Sequence, residues 1–172
     1  IRRFSALGRT YIGGSAALAA NTDNPSKETP MADTYVLVHG AWHTGELMEP
    51  VAAHLRQRGH AVHCPTLAGN RPGDDRSGTG LAEAAQSLID YLDQHDLKDV
   101  RLMGHSYGGM VISHAADRVG HRIRRLVYWN AFVPLDGESL NDLVPPHYVA
   151  LFDGIAAANN GAVMLPYPIW RE

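Results

Sequence analysis

Little in this chain could cross-link it. Its 172 residues contain one cysteine, Cys64, which excludes an internal disulfide. Cys64 ends a short strand-like stretch and reads as a small packing residue, not a reactive thiol. Charge of one sign is also lacking. Fifteen Lys and Arg face 18 Asp and Glu for a net charge of -3. That removes the electrostatic case for nucleic acid or an anionic membrane surface as a partner. No apolar run is long enough to cross a bilayer, and no internal repeat is present. Metal-ligand spacing is missing too. His60 and His63 stand at odd spacing on a strand and point to opposite faces. The run Asp74-Asp75-Arg76 lies in a loop rich in Gly and Pro and reads as a solvated turn. What remains is 45% hydrophobic and 19% charged, an ordinary balance for one domain with a real core.

Residues 1–30 differ from the rest. Arg2-Arg3 and the small-residue run Ala17-Leu18-Ala19 faintly resemble an export signal, interrupted by Arg9. A polar linker with Pro25 and Pro30 follows. Met31 then leads straight into a strand. The expectation is a disordered leader or non-native extension over 1–30, with Met31 as the functional start and a cytoplasmic chain. Export is the alternative, if residues 1–20 are a signal peptide.

From Thr34 the pattern alternates. Thr34 to Val38 is a continuous β-branched and aromatic run, as a strand buried on both faces requires. Leu47, Met48, Val51, Ala52 and Leu55 then recur at helical spacing up to Gly59. A second strand is expected over His60 to Cys64. A second helix, capped by Thr79, carries Leu81, Ala84, Ala85, Leu88, Ile89 and Leu92 on one face. A third strand begins at Asp99, and a fourth covers Ile123 to Trp129. One short helix is expected over Tyr148 to Asn159. Strands alternating with helices predict an α/β fold with a doubly wound, mostly parallel sheet.

The densest chemistry lies between the third strand and its helix. Asp99-Val100-Arg101-Leu102-Met103 runs into Gly104-His105-Ser106-Tyr107-Gly108-Gly109 and leaves as the helical Met110 to Ala116. Strand, sharp turn with a central serine, then helix is the G-x-S-x-G nucleophile elbow. Gly104 and Gly108 lack a Cβ, so the strand end and helix start can pack closely behind the serine. The helix N-terminus offers free N–H groups and the positive end of its dipole to a developing oxyanion. A second motif, His39-Gly40-Ala41-Trp42-His43, follows the first strand. Both motifs fall at carboxyl ends of strands. An open α/β sheet binds its ligand there, provided the two strands are neighbours.

Together these residues resemble the α/β-hydrolase superfamily, in particular the plant methylesterase and hydroxynitrile lyase branch and its bacterial relatives. The resemblance runs from about Thr34 to Pro134 and more loosely beyond. It implies Ser106 as the nucleophile and the backbone N–H groups of Ala41 and Tyr107 as oxyanion donors. It gives His39, Gly40, Gly104, His105 and Gly108 supporting places, with His39 bracing the loop and not acting as the base. Residues 31–134 would form the N-terminal part of the hydrolase core, and 135–172 the beginning of a cap. Trp42, Trp129 and Phe132 would line the pocket, with Tyr148, Leu151 and Phe152 as further apolar candidates. The implied chemistry is hydrolysis of a small carboxylic ester, with no metal and no cofactor.

Two departures qualify the resemblance. The lyases of this branch typically carry threonine where this chain has Gly40, so glycine favours the esterases. The family takes its histidine from after the last strand, and its acid usually from after the strand that follows the cap. This sequence reaches Glu172 before either, and Asn130 stands where some relatives place the acid. The expectation is therefore a C-terminally shortened chain. A lyase-like enzyme on the same fold, or an inactive product, are the alternatives.

Overall fold

In the computed structural model of the protein, which describes residues 32–165, four strands form one sheet in the order β2-β1-β3-β4, all parallel. They are β1 (Thr34–Val38), β2 (Ala61–His63), β3 (Val100–Ser106) and β4 (Ile123–Ala131). Between and after them run α1 (Glu49–Gln57), α2 (Leu81–Gln94), α3 (Gly108–Val119) and α4 (Pro146–Ala158). A short 3-10 turn, Gly45–Met48, leads into α1.

The sheet is covered on both faces. On one side α2 and α3 pack Leu88, Leu92, Val111, Ile112 and Ala115 against Val36, Val38, Val100 and Leu102. On the other, α1 and the turn before it pack Ala52 and Met48 against Leu37. Successive β1 residues thus enter opposite cores, which is why its sequence is an unbroken apolar run. Wholly buried β1 and β3 side chains of this kind each contribute about 1.5–3 kcal/mol. At the entry end of the sheet, the Arg101 guanidinium lies 2.9 Å from the Asp33 carboxylate and over the Tyr35 ring. Lys98 pairs with Asp96 just before β3.

The expected elements are present, with local corrections. Thr79 does not cap α2. Gly80 occupies the N-cap, where its N–H donates to the Glu83 carboxylate at 2.8 Å, while the Thr79 hydroxyl turns back to the Asp75 carbonyl. The second strand is only three residues long and pairs with β1 at one edge of the sheet. The fourth strand continues past Trp129 to Ala131, held by pairing with β3 up to Ser106. The last helix begins earlier, with Pro146 in its first turn, where proline costs no hydrogen bond. The expectation for residues 1–30 lies outside the described residues. No described helix is long and apolar enough to cross a membrane.

Candidate active site

β1 and β3 are neighbours, with Val38 opposite Gly104. Their exits therefore bring residues 39–43 alongside residues 105–109. Ser106 ends β3 with φ +53, in the left-handed region that a residue with a Cβ seldom adopts. Tyr107 follows at the N-cap of α3. The Ser106 carbonyl accepts the Phe132 N–H at 3.1 Å, which pins the turn to the exit of β4.

The glycines around the serine are fixed by close approach. A Cβ on Gly104 would stand 2.6 Å from the Gly108 carbonyl oxygen. One on Gly108 would stand 2.7 Å from the Val38 carbonyl oxygen and 2.8 Å from that of His39. One on Gly109 would collide with the Phe132 carbonyl. Strand end, helix start and first loop can pack this closely only without those side chains.

His39 is completely buried. Its Nδ1–H donates to the Gly40 carbonyl at 2.8 Å, and its Nε2 accepts the Leu67 N–H at 3.1 Å. Accepting at Nε2 requires the neutral ring, and burial likewise holds its pKa below the ordinary histidine value. Both nitrogens are engaged with backbone, which suits a brace.

Gly40 to His43 form a turn closed by the His43 N–H on the Gly40 carbonyl at 3.4 Å. Trp42 lies in it with φ +61. Its indole N–H donates to the Val163 carbonyl at 2.6 Å, and its ring meets Phe152 on α4. Phe152 in turn meets Tyr148. On the other side, the His105 ring lies between Trp129, 5.0 Å away, and His43, stacked at 6.2 Å. Burial, and then the neighbouring His105, hold the His43 imidazole below its ordinary pKa. Trp42 and Trp129 are each about two-fifths exposed. Phe132 is half-buried and reaches the site through its backbone.

The Tyr107 ring turns inward onto the core, where burial raises its phenol pKa. What it leaves at the site is backbone. Other sequence candidates lie elsewhere. The His60 ring accepts the Asp33 N–H at the entry end of the sheet. His63 bonds the Tyr91 hydroxyl on α2. Ser113 donates to the Gly109 carbonyl and shares a hydrogen bond with the Tyr128 hydroxyl, both at 2.8 Å.

The loop expected after β2 is present, and what sequence reasoning missed is its internal order. The Asp74 carboxylate accepts the N–H groups of Gly69 and Arg71, and the Arg76 guanidinium bonds the Gly69 carbonyl. Asp75 and Arg76 are exposed, as a solvated turn requires, and the order of the loop comes from the Asp74 carboxylate. The only sequence signal for it was Asp spaced a few residues after Gly and Asn, a common turn composition.

Comparison with known proteins bears on the fold. A carbendazim-hydrolyzing esterase of Nocardioides sp. (strain SG-4G) is 40% identical over 144 residues, which are 78% of this chain and 60% of that protein. An alpha-hydroxynitrile lyase of Arabidopsis thaliana is 34% identical over 103 residues, 58% of this chain and 40% of the lyase. Among solved structures, an extracellular alpha/beta-hydrolase from a Paenibacillus species superposes with a TM-score of 0.76 at 38% identity. That match covers 81% of this chain and 57% of the other. The chain thus spans between two-fifths and three-fifths of the length of these relatives. Residues 35–172 match the alpha/beta hydrolase family as a whole, and the chain belongs to that family.

Proposed function

We propose that this chain carries the nucleophile and oxyanion-binding elements of a hydrolase acting on small carboxylic esters. Ser106 is the nucleophile, and the N–H groups of Ala41 and Tyr107 are the oxyanion donors. The observation that carries the reading is the left-handed backbone of Ser106 at the junction of β3 and α3. Such a conformation costs about 1–3 kcal/mol and persists where the surroundings over-determine it, often at a functional site.

In this reading Ser106 attacks the ester carbonyl. Negative charge develops on the carbonyl oxygen and is met by the two N–H groups and the N-terminal dipole of α3. The alcohol leaves, and water then releases the acyl group from Ser106. A serine hydroxyl needs a base to take its proton. The base and its acid partner belong, in this proposal, to parts of the enzyme outside the described residues. His39 is committed to the loop through both nitrogens.

Gly40 supports hydrolysis over a lyase reaction. A Cβ at this position would stand 3.0 Å from the Ser106 Cβ, so the threonine of the lyases would require the serine to give by a few tenths of an ångström. The identity to a named esterase supports the same choice.

The test is covalent labelling of the full-length enzyme with a fluorophosphonate, beside turnover of p-nitrophenyl acetate and of a cyanohydrin. Ser106→Ala should abolish labelling and ester turnover, and Ser113→Ala should leave labelling in place. Near-normal ester turnover by Ser106→Ala rejects the assignment. Faster turnover of the cyanohydrin than of the ester rejects the hydrolase class.

A further inference from the structure

Three hydrogen bonds tie the loop after β1 to the loop between β2 and α2. The Leu67 N–H donates to His39 Nε2 at 3.1 Å. The Gly45 N–H donates to the Thr66 hydroxyl at 2.9 Å. The Asn70 side-chain amide donates to the His43 carbonyl at 2.9 Å. The third differs from the others, because it grips the Gly40–His43 turn directly. The turn's own closing bond is long, at 3.4 Å. Its third residue, Trp42, holds a left-handed backbone, which costs a bulky residue about 1–3 kcal/mol. A weakly closed turn with an unfavourable residue has to be held from outside.

Asn70 is itself held. Its N–H donates to the Leu67 carbonyl at 3.2 Å. The residues on either side, Gly69 and Arg71, donate their N–H groups to one Asp74 carboxylate oxygen at 2.9 and 3.2 Å. The Arg76 guanidinium closes the other side of the loop on the Gly69 carbonyl at 3.0 Å. A carboxylate that collects two backbone donors fixes the segment between them.

Resting on the reading of Ala41 as an oxyanion donor, we propose that Asn70 is a positioning residue for that donor. Its amide, set in place by Asp74, holds the far end of the Gly40–His43 turn and so the aim of the Ala41 N–H. Asn70 touches neither substrate nor serine. Its contribution falls on the step in which the oxyanion forms, where a misplacement of about 1 Å can cost ~10² in rate. Ground-state binding is left alone.

The experiment uses the full-length enzyme with Asn70→Ala, Asn70→Asp, Asp74→Ala and the Asn70→Ala/Asp74→Ala double variant. It reads kcat and KM for a p-nitrophenyl ester, binding of the product acid, and inhibition by a trifluoromethyl ketone. The hemiketal oxyanion of that inhibitor resembles the transition state. Both Asn70 variants should lose about 10- to 100-fold in kcat with KM nearly unchanged. Inhibitor affinity should fall by the same factor, and product binding should hold. The double variant should be no worse than Asn70→Ala, because the two residues act in series. A kcat within about threefold of the parent for both Asn70 variants overturns the proposal, as does an equal loss in product binding. If Asn70→Ala does not fold, Asn70→Asp, of the same size, carries the same readouts. Failure of both to fold also overturns it, because the role is then structural. Undiminished turnover by Ser106→Ala rejects the esterase reading instead. A dead Ser106→Ala beside normal Asn70 variants rejects only the positioning role.

Discussion

A Cβ built on Gly40 comes within 3.0 Å of the Cβ of Ser106. Gly40 lies just past the end of β1 and Ser106 ends the neighbouring β3, so a side chain at position 40 requires the serine to give by a few tenths of an ångström. That serine already holds a left-handed backbone, with φ +53. Gly40→Thr should therefore fold but lose ester turnover by about tenfold or more, as overpacking of about 1–3 kcal/mol falls on the serine. The check is kcat/KM for a p-nitrophenyl ester beside a thermal melt. Unchanged kinetics would separate this loop from the reacting centre.

Two glycines should respond oppositely to alanine. At Gly108 the added methyl meets the backbone of β1's exit at 2.7 Å, and no side chain can rotate away. Gly108→Ala should cost about 3 kcal/mol. Gly154, on the exposed side of α4, has nothing within 4 Å of its Cβ position. Gly154→Ala should stabilise by about 0.5–1 kcal/mol, because a helix interior prefers alanine. Urea denaturation of both variants reads the two signs.

Stability should fall on mild acidification. Burial holds His39, His43 and His63 below the ordinary histidine pKa of 6.5. In the unfolded chain they return to it, so below about pH 6.5 the unfolded state binds protons that the folded state refuses. The stability from these neutral rings is full above that pH and is lost as pH falls toward the lowered folded values. Melts between pH 7.5 and 5 should show Tm falling. The His39 ring should give neutral-imidazole NMR shifts at pH 6.5, and half-protonation there would contradict the buried brace.

Cys64 should be a slow thiol. Burial and the neighbouring Glu49 carboxylate push its pKa from 9.0 to about 11. At pH 8 the thiolate is then roughly a hundredfold scarcer than for a free cysteine. Iodoacetamide should alkylate the folded protein correspondingly slowly and the urea-unfolded protein at the ordinary rate. Equal rates would contradict the half-buried placement beside Glu49.

Much of this was legible in the sequence because the signals are local. The run Thr34 to Val38 declared a doubly buried strand, and the spacing of Leu81 to Leu92 declared a helix face. Gly104, Ser106 and Gly108 declared the turn between strand and helix. The missed features depend on partners far along the chain. Asn70 finds the His43 carbonyl 27 residues away, and Trp42 finds the Val163 carbonyl across 121. No periodicity records such a pairing. Thr79 illustrates the local limit, since a good capping residue one position too early lost the cap to Gly80 and Glu83. Substrate identity leaves still less trace, because aromatic rings at a rim and in a core look alike in composition.

The length of β3 also separates Lys98 from Ser106. Lys27 and Lys98 are the two lysines of the sequence, and Lys98 is the only one among the described residues. It sits where β3 is about to begin, and Ser106 sits where β3 ends. Seven strand residues place roughly 20 Å of sheet between them. Coupling through Lys98 to an amine-reactive resin would therefore orient the described domain with its serine end toward the solution. The same position offers a dye or a crosslinker that leaves the mouth of the site uncovered.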